Sequence, residues 1–270
     1  MIKKRIPCMD LKQICYSGQC FRMNELKPNK YGLIAMGYYL EIEQNGEAFS
    51  FACSEQEFDS IWVNYFDLKT DYERMIHCIK KEDSYLREAA KLGKGIRILR
   101  QDLWETIITF IVSQQNNIPR IRKCIQLICE RYGQEKQTDE GKQYYDFPTP
   151  EALANATEEE LKACNLGYGS RYIKKTAWSV MHNEICLSEL YTMNHTDAKK
   201  ELLKLYGVGN KVADCICLFA LHHIEAFPID THIQQVLNRE YPNGFDLEYY
   251  REYAGILQQY MFHYEINKKK

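Results

Sequence analysis

The order of apolar and polar positions divides the chain into two stretches. Over the first eighty residues the pattern favours strands. Tyr31 to Glu43 is rich in strand formers, Gln44-Asn45-Gly46-Glu47 follows as a hairpin turn, and Ala48 to Cys53 returns. Ser54 to Glu57 has capping-box spacing, with Phe58, Ile61 and Trp62 behind it at helical intervals. Residues 1–80 are therefore expected to form an antiparallel sheet with a packed helix. From about Glu82 the period becomes helical. Asp102 caps a helix burying Trp104, Ile107, Ile108 and Ile111, and another runs from about Pro119 to Tyr132. The polar run Gly133 to Tyr145 reads as an exposed loop. Thr149 with Pro150 opens a short helix, and Thr157 to Glu160 is a second capping box. Further helices are expected at about 170–182, 196–206, 210–223, 230–240 and 247–264. The fold class is α+β, with a helical domain over 81–270.

Composition narrows the functional classes. No apolar run approaches the length of a membrane span, and the basic start Met1 to Arg5 is interrupted at Asp10 and Lys12, unlike a signal peptide. A cytoplasmic location is expected. Eleven cysteines, an odd number without framework spacing, argue against a secreted disulfide protein. With no four-cysteine cluster, an iron–sulfur centre is not expected. A net charge of −2 weakly opposes a nucleic-acid partner; such a partner would require positive charge on one face and backbone amides for phosphates.

The chemistry lies in Leu202 to Cys215. An amphipathic helix ends at Gly207-Val208-Gly209 and a second begins at once, giving a helix-hairpin-helix over about 196–223. Amides opening the second helix point at an anion, and a DNA phosphate suits them, read without sequence preference. A bare helix–helix turn is the plainer alternative. About twenty residues on, Pro228-Ile229-Asp230 precedes another helix, so Asp230 is an N-cap or a carboxylate facing Lys211, or both.

Taken together, these features resemble the helix-hairpin-helix (HhH-GPD) DNA glycosylase superfamily, and further matches single out the eukaryotic-type 8-oxoguanine DNA glycosylases. Lys211 to Leu218 is similar to that family's catalytic helix, Ser17-Gly18-Gln19-Cys20-Phe21-Arg22 to its base-recognition segment, Asn116-Asn117-Ile118 with Arg120 to its intercalating turn, and Tyr253-Ala254-Gly255 with Gln258 and Phe262 to its pocket helix. The resemblance implies a TBP-like antiparallel β domain packed on a helical HhH-GPD domain. It also implies base flipping from double-stranded DNA containing 8-oxoguanine, by a monomer with no membrane partner and no cofactor needed for catalysis.

Under this resemblance Lys211 attacks the sugar C1′ as the free amine, which desolvation and the helix dipole would favour, and the resulting Schiff base undergoes β-elimination. Asp230 steadies the developing positive charge. Gly18 accepts from the N7 hydrogen that only the oxidised base carries, Cys215 and Phe262 sandwich the base, and Gln258 bonds its Watson–Crick edge. Tyr168 wedges into the duplex. His232, Gly207, Gly209 and Val212 serve phosphates, and the carbonyls of Leu203, Leu205 and Val208 hold a structural cation. Plainer roles stand beside these: a turn glycine at Gly18, packing for Cys215 and Phe262, an exposed first-turn residue at His232.

The match departs at the orphaned base, which the family reads with an Asn and two Arg. Gln115 stands for the Asn and Gly169 for one Arg, while Arg120 matches the other. A relaxed preference for the opposite base is expected. The rival readings are a non-catalytic helix-hairpin-helix DNA-binding module and a glycosylase for another damaged base.

Overall fold

The computed structural model describes residues 1–268. Five strands form one antiparallel sheet in the order β1-β5-β4-β3-β2: β1 (Ile2–Arg5), β2 (Met23–Lys27), β3 (Lys30–Ala35), β4 (Tyr38–Asn45) and β5 (Ala48–Phe51). The expected strand over 31–43 is two strands. Met36 and Gly37, at φ 54° and 81°, make a tight turn that pairs Ala35 with Tyr38. The turn expected at 44–47 forms, with Asn45 opposite Ala48. The basic N-terminus is itself a strand, pairing Ile2 with Phe51. Strand alternation sends Leu33, Leu40, Ile42, Phe49 and Phe51 into a core with Trp62, Tyr65, Phe66 and the short helix α1 (Leu11–Tyr16). The helical turn expected behind Ser54 is present, wound in part as a π-helix over Phe58–Trp62.

The remaining helices share a second core. They include α2 (Ser84–Gly93), α3 (Leu103–Val112), α4 (Ile118–Tyr132), α5 (Gly169–Met181), α6 (His195–Leu202), α7 (Asn210–Phe219), α8 (Thr231–Glu240) and α9 (Ala254–Lys268). Short helices at Pro150–Asn155 and Glu158–Lys162 start at Thr149 and Thr157, the latter in a full capping box. The helix expected to reach 223 stops at Phe219, because His222 turns back at φ 58° to lie 3.5 Å from the Asp67 carboxylate. The last helix begins at Ala254 rather than 247, after a 3-10 turn at Arg251–Tyr253.

Gly133 to Tyr145 is not a free loop. Glu135–Gln137 (β6) and Gln143–Tyr145 (β7) pair as a hairpin docked on the sheet. Lys142 Nζ bonds Tyr39 and Glu41, and Lys136 Nζ bonds the Gly37 carbonyl at 3.1 Å and Asp146 at 2.6 Å. The reach from the hairpin to Gly37, Tyr39 and Glu41 is made of hydrogen bonds and an ion pair between distant segments, which a local polarity pattern does not display.

An extended strap, residues 97–101, runs between the cores. Ile98 points into the helical core and Leu99 into the sheet's core. Buried Gln19 donates to the Arg97 carbonyl at 2.9 Å and accepts from the Leu99 amide at 2.9 Å. Asp67 gathers Thr70 Oγ1 at 2.9 Å, the Tyr72 hydroxyl at 3.0 Å and Arg100 at 3.0 Å. Burial pushes its carboxyl up, but His222 and Arg100 pull harder, and the net lies below the ordinary aspartate value.

Candidate active site

Three elements converge on one cleft of about 680 Å³. The α3–α4 turn supplies Ser113, Gln114, Gln115, Asn116, Asn117 and Arg120; the hairpin supplies Gly209, Asn210, Lys211 and Val212; the start of α8 supplies Asp230, Thr231 and His232. Lys211 and Asp230, nineteen residues apart in sequence, thus share a cavity.

The hairpin has a physical reason for each glycine it uses. Gly207 lies at φ 89°, and a Cβ there would come within 2.8 Å of the Tyr172 ring. Gly209 is the N-cap of α7. The starts of α3, α4, α6 and α8 are capped by the side chains of Asp102, Asn117, Asn194 and Asp230, whereas α7 begins at a residue with no side chain to offer. Its first amides remain open to an anion. The turn is tied down behind: the Tyr206 carbonyl accepts from Thr176 Oγ1 at 2.9 Å and the Gly207 carbonyl from Gln114 Nε2 at 2.9 Å.

Lys211 is the second residue of α7. It is half-buried, with its Nζ 5.3 Å from the centroid of Phe110. One turn on, buried Cys215 feels Lys211 and Asp230 together. Burial above all, with Asp214 and Asp230, pushes its thiol up against the opposing pull of Lys211, to a net value of about 11, so the thiol is neutral near pH 7. Asp230 Oδ1 accepts from the Ile233 amide at 2.8 Å. It is an N-cap, and the same bond fixes its carboxylate at the cleft.

Of the four expected base-pocket residues, Gly18 and Phe262 meet from the two halves of the chain, and none of the four is among the residues that line the cleft. Gly18, at φ 77°, lies against Phe262; a Cβ there would be 3.3 Å from the Phe262 ring and 3.9 Å from Ile118. The Gly18 segment is held by Gln19, which also accepts at its backbone carbonyl from Gln101. Phe262 lies edge-on to His232, a residue of the cleft, with ring centroids 5.9 Å apart. Gly255 lets α9 approach α7: a Cβ would meet Leu218 at 2.3 Å and the Ala226 carbonyl at 2.8 Å. Gln258 is buried, donating to the Pro228 carbonyl at 3.0 Å and accepting from Gln259 at 3.0 Å. It does not line the cleft.

Tyr168 is 54% exposed beside the cleft, its hydroxyl donating to the Gln114 carbonyl at 3.3 Å. Asn116 Oδ1 accepts from the Asn117 amide, and Asn117 Oδ1 from the Arg120 amide, each at 3.0 Å. Gln115 is exposed, in left-handed backbone at φ 50°. Gly169, the first residue of α5, has open space where a side chain would project. Leu205 and Val208 are buried in the hairpin turn and Leu203 is exposed; the Leu205 carbonyl accepts from the Val208 amide at 3.1 Å. Among the described residues no group of three His, Cys, Asp or Glu side chains is arranged to hold a metal, and no helix is long and apolar enough to cross a membrane. Gln114, Phe110 and Thr231 were not singled out by the sequence. Gln114 carries a faint signal, as a polar residue directly after the apolar run of α3.

Comparison with known proteins fits this geometry. Residues 1–107 match the model for the 8-oxoguanine DNA glycosylase N-terminal domain, and residues 108–246 match the HhH-GPD superfamily of base excision DNA repair proteins. A probable N-glycosylase/DNA lyase of Methanothermobacter thermautotrophicus is 30% identical over 228 residues, covering 74% of this chain and 72% of that protein. The chain belongs to the 8-oxoguanine DNA glycosylase family within the HhH-GPD superfamily. A solved structure of Clostridium acetobutylicum 8-oxoguanine glycosylase/lyase, bound to double-stranded DNA with cytosine opposite 8-oxoG, superposes with a TM-score of 0.90 at 33% identity, covering 100% of this chain and 98% of that one. The N-glycosylase/DNA lyase of Saccharomyces cerevisiae is 38% identical over 164 residues, 56% of this chain, and the chain spans only 44% of that relative's length.

Proposed function

We propose that this family member is a bifunctional DNA glycosylase and abasic-site lyase that extrudes 8-oxoguanine from duplex DNA and excises it. The observation that carries the reading is the common cleft of Lys211 and Asp230, bordered by a hairpin whose α7 amides are free to take a phosphate. A DNA-binding module without chemistry needs neither the pair nor the cavity. In this reading the Lys211 amine forms a C–N bond at C1′ as the bond to N9 breaks, and the base leaves with a proton. Opening of the sugar ring at O4′ gives the Schiff base. Loss of a C2′ proton then expels the 3′ phosphate by breaking the C3′–O bond. The Asp230 carboxylate, fixed by its own helix cap, stabilises the cationic sugar.

Gly18, Cys215, Phe262 and Gln258 hold the extruded base, and Gln258 exchanges its bond to Pro228 for the base edge. Neutral Cys215 suits a stacking role. Tyr168 fills the gap in the stack. Gln115 and Arg120 face the orphaned base, Asn116 and Asn117 lie in the turn that enters the duplex, and Gly207, Gly209, Val212 and His232 face the backbone. With Gln115 and Gly169 in place of an asparagine and an arginine, preference for cytosine opposite the lesion is relaxed. The chain needs no cofactor for catalysis; the carbonyls of Leu203, Leu205 and Val208 are oxygen donors that suit a hard structural cation. It acts as a monomer on intracellular DNA, with its two units dividing near residue 80.

Borohydride trapping on 8-oxoguanine duplex tests this. A covalent adduct forms with the natural chain and is lost in Lys211→Gln. No adduct from the natural chain would sink the reading.

A further inference from the structure

Gln114 lies at the end of α3, directly before the turn that carries Gln115, Asn116 and Asn117. Its side-chain amide donates to the Ile111 carbonyl at 3.3 Å and to the Gly207 carbonyl of the hairpin at 2.9 Å. Its backbone carbonyl accepts from the Tyr168 hydroxyl at 3.3 Å. The Tyr168 ring rests edge-on against Tyr172, with centroids 5.6 Å apart, and Tyr172 rests against Tyr206 at 5.3 Å. The Tyr172 ring also fills the notch left by Gly207. The contacts therefore close a loop: Tyr168 to Gln114, Gln114 to Gly207, Gly207 to Tyr172, and Tyr172 back to Tyr168. Three segments meet in that loop, the end of α3, the start of α5 and the hairpin, and the first and last of them also supply residues that line the cleft.

An exposed tyrosine at the start of a helix would ordinarily sample several rotamers, and ordering it on insertion would cost free energy at the moment of base extrusion. Here the order is supplied in advance. We propose that Gln114 and Tyr172 are positioning residues that lock the wedge Tyr168 to the hairpin, so that seating the hairpin on DNA phosphates sets the depth at which the wedge enters the duplex. The inference rests on the glycosylase reading above. It adds that phosphate docking and wedge insertion are one mechanical event.

A double-mutant cycle on the full chain tests it, read by stopped-flow fluorescence of 2-aminopurine placed beside the lesion. Gln114→Ala and Tyr172→Leu each slow extrusion by about fivefold, the size expected for loss of one ordering contact. In a Tyr168→Ala background the same substitutions change the rate by less than about twofold, since no wedge remains to be positioned. Tyr172→Phe, which keeps the ring, recovers most of the rate lost in Tyr172→Leu. Equal slowing with and without Tyr168 would mean general damage to the cleft and would overturn the proposal, as would no slowing in either background. Thermal melts establish which variants fold, and if Gln114→Ala does not, the Tyr172 cycle carries the test. A natural chain that extrudes and traps normally, with independent factors in the cycle, overturns the coupling alone. One that neither extrudes nor traps overturns the glycosylase reading as well.

Discussion

Under the proposed relaxed preference, replacing Gly169 with arginine should make excision selective for cytosine opposite the lesion. The position follows Tyr168, the proposed wedge, and opens α5. A Cβ built there meets nothing within 4 Å, and the backbone lies outside the left-handed region, so a side chain enters without strain. Arginine is also a better helix former than glycine by up to about 1 kcal/mol. A guanidinium reaching the orphaned cytosine would meet N3 and O2, two adjacent acceptors. Thymine offers a donor at N3 and breaks the match. A charge-assisted contact of this kind contributes about 1.5–3 kcal/mol. Ordering the long side chain costs about 0.5–1.5 kcal/mol. The net of about 1–2 kcal/mol corresponds to roughly a 5–30-fold gain in the ratio of excision opposite C to excision opposite A or T. Single-turnover excision on duplexes with 8-oxoguanine opposite C, A, G and T measures that ratio. A natural chain already strongly selective for C would refute the reasoning, because Gly169 and Gln115 would then not be the missing contacts. An unchanged ratio in a folded Gly169→Arg chain would do the same.

Asp230 separates capping from chemistry. Asn caps as well as Asp, so Asp230→Asn should leave the melting temperature nearly unchanged while excision falls by at least about tenfold, whereas Asp230→Ala also loses about 1 kcal/mol of stability; thermal melts beside single-turnover rates decide, and full activity in Asp230→Asn would leave only the cap. Asp67 governs acid stability. Its carboxyl is depressed in the folded state by His222 and Arg100, so its contribution is present above the unfolded value of about 3.9 and is lost as pH falls through the lower folded value. Asp67→Asn should therefore destabilise by about 3 kcal/mol near pH 7, and the gap to the natural chain should narrow towards about pH 3; a gap independent of pH in denaturant titrations would count against the charge.

Much of the site could be read from the sequence because its chemistry sits at helix starts, where spacing is informative. Gly207-Val208-Gly209 before Lys211 and Pro228 before Asp230 mark two N-termini, and the structure brings both to one cleft. What the sequence hid depends on contacts between distant segments. The Met36-Gly37 turn lacks the Asn-Gly signal that marked its neighbour at Asn45-Gly46. The β6–β7 hairpin is polar but for Tyr144 and Tyr145, and is held by Lys136 and Lys142 reaching to the sheet. The strand at Ile2–Arg5 looks merely basic until Phe51 is set beside it. Gln114 has no local signal to set it apart from Gln115, because its partners, Gly207 and Tyr168, lie 93 and 54 residues away.

Adjacent residues of one short strap, Ile98 and Leu99, are rooted in different cores. Neither half of the molecule can loosen without dragging on its neighbour, so heat should melt both in a single calorimetric step. The same coupling bears on selectivity. Gly18 belongs to one half and Phe262 to the other, and the two lie against each other where the halves meet. A strap stitched into both halves holds the Gly18 carbonyl steady against Phe262, so that in the proposed pocket the one contact able to tell an N7 hydrogen from a lone pair does not drift.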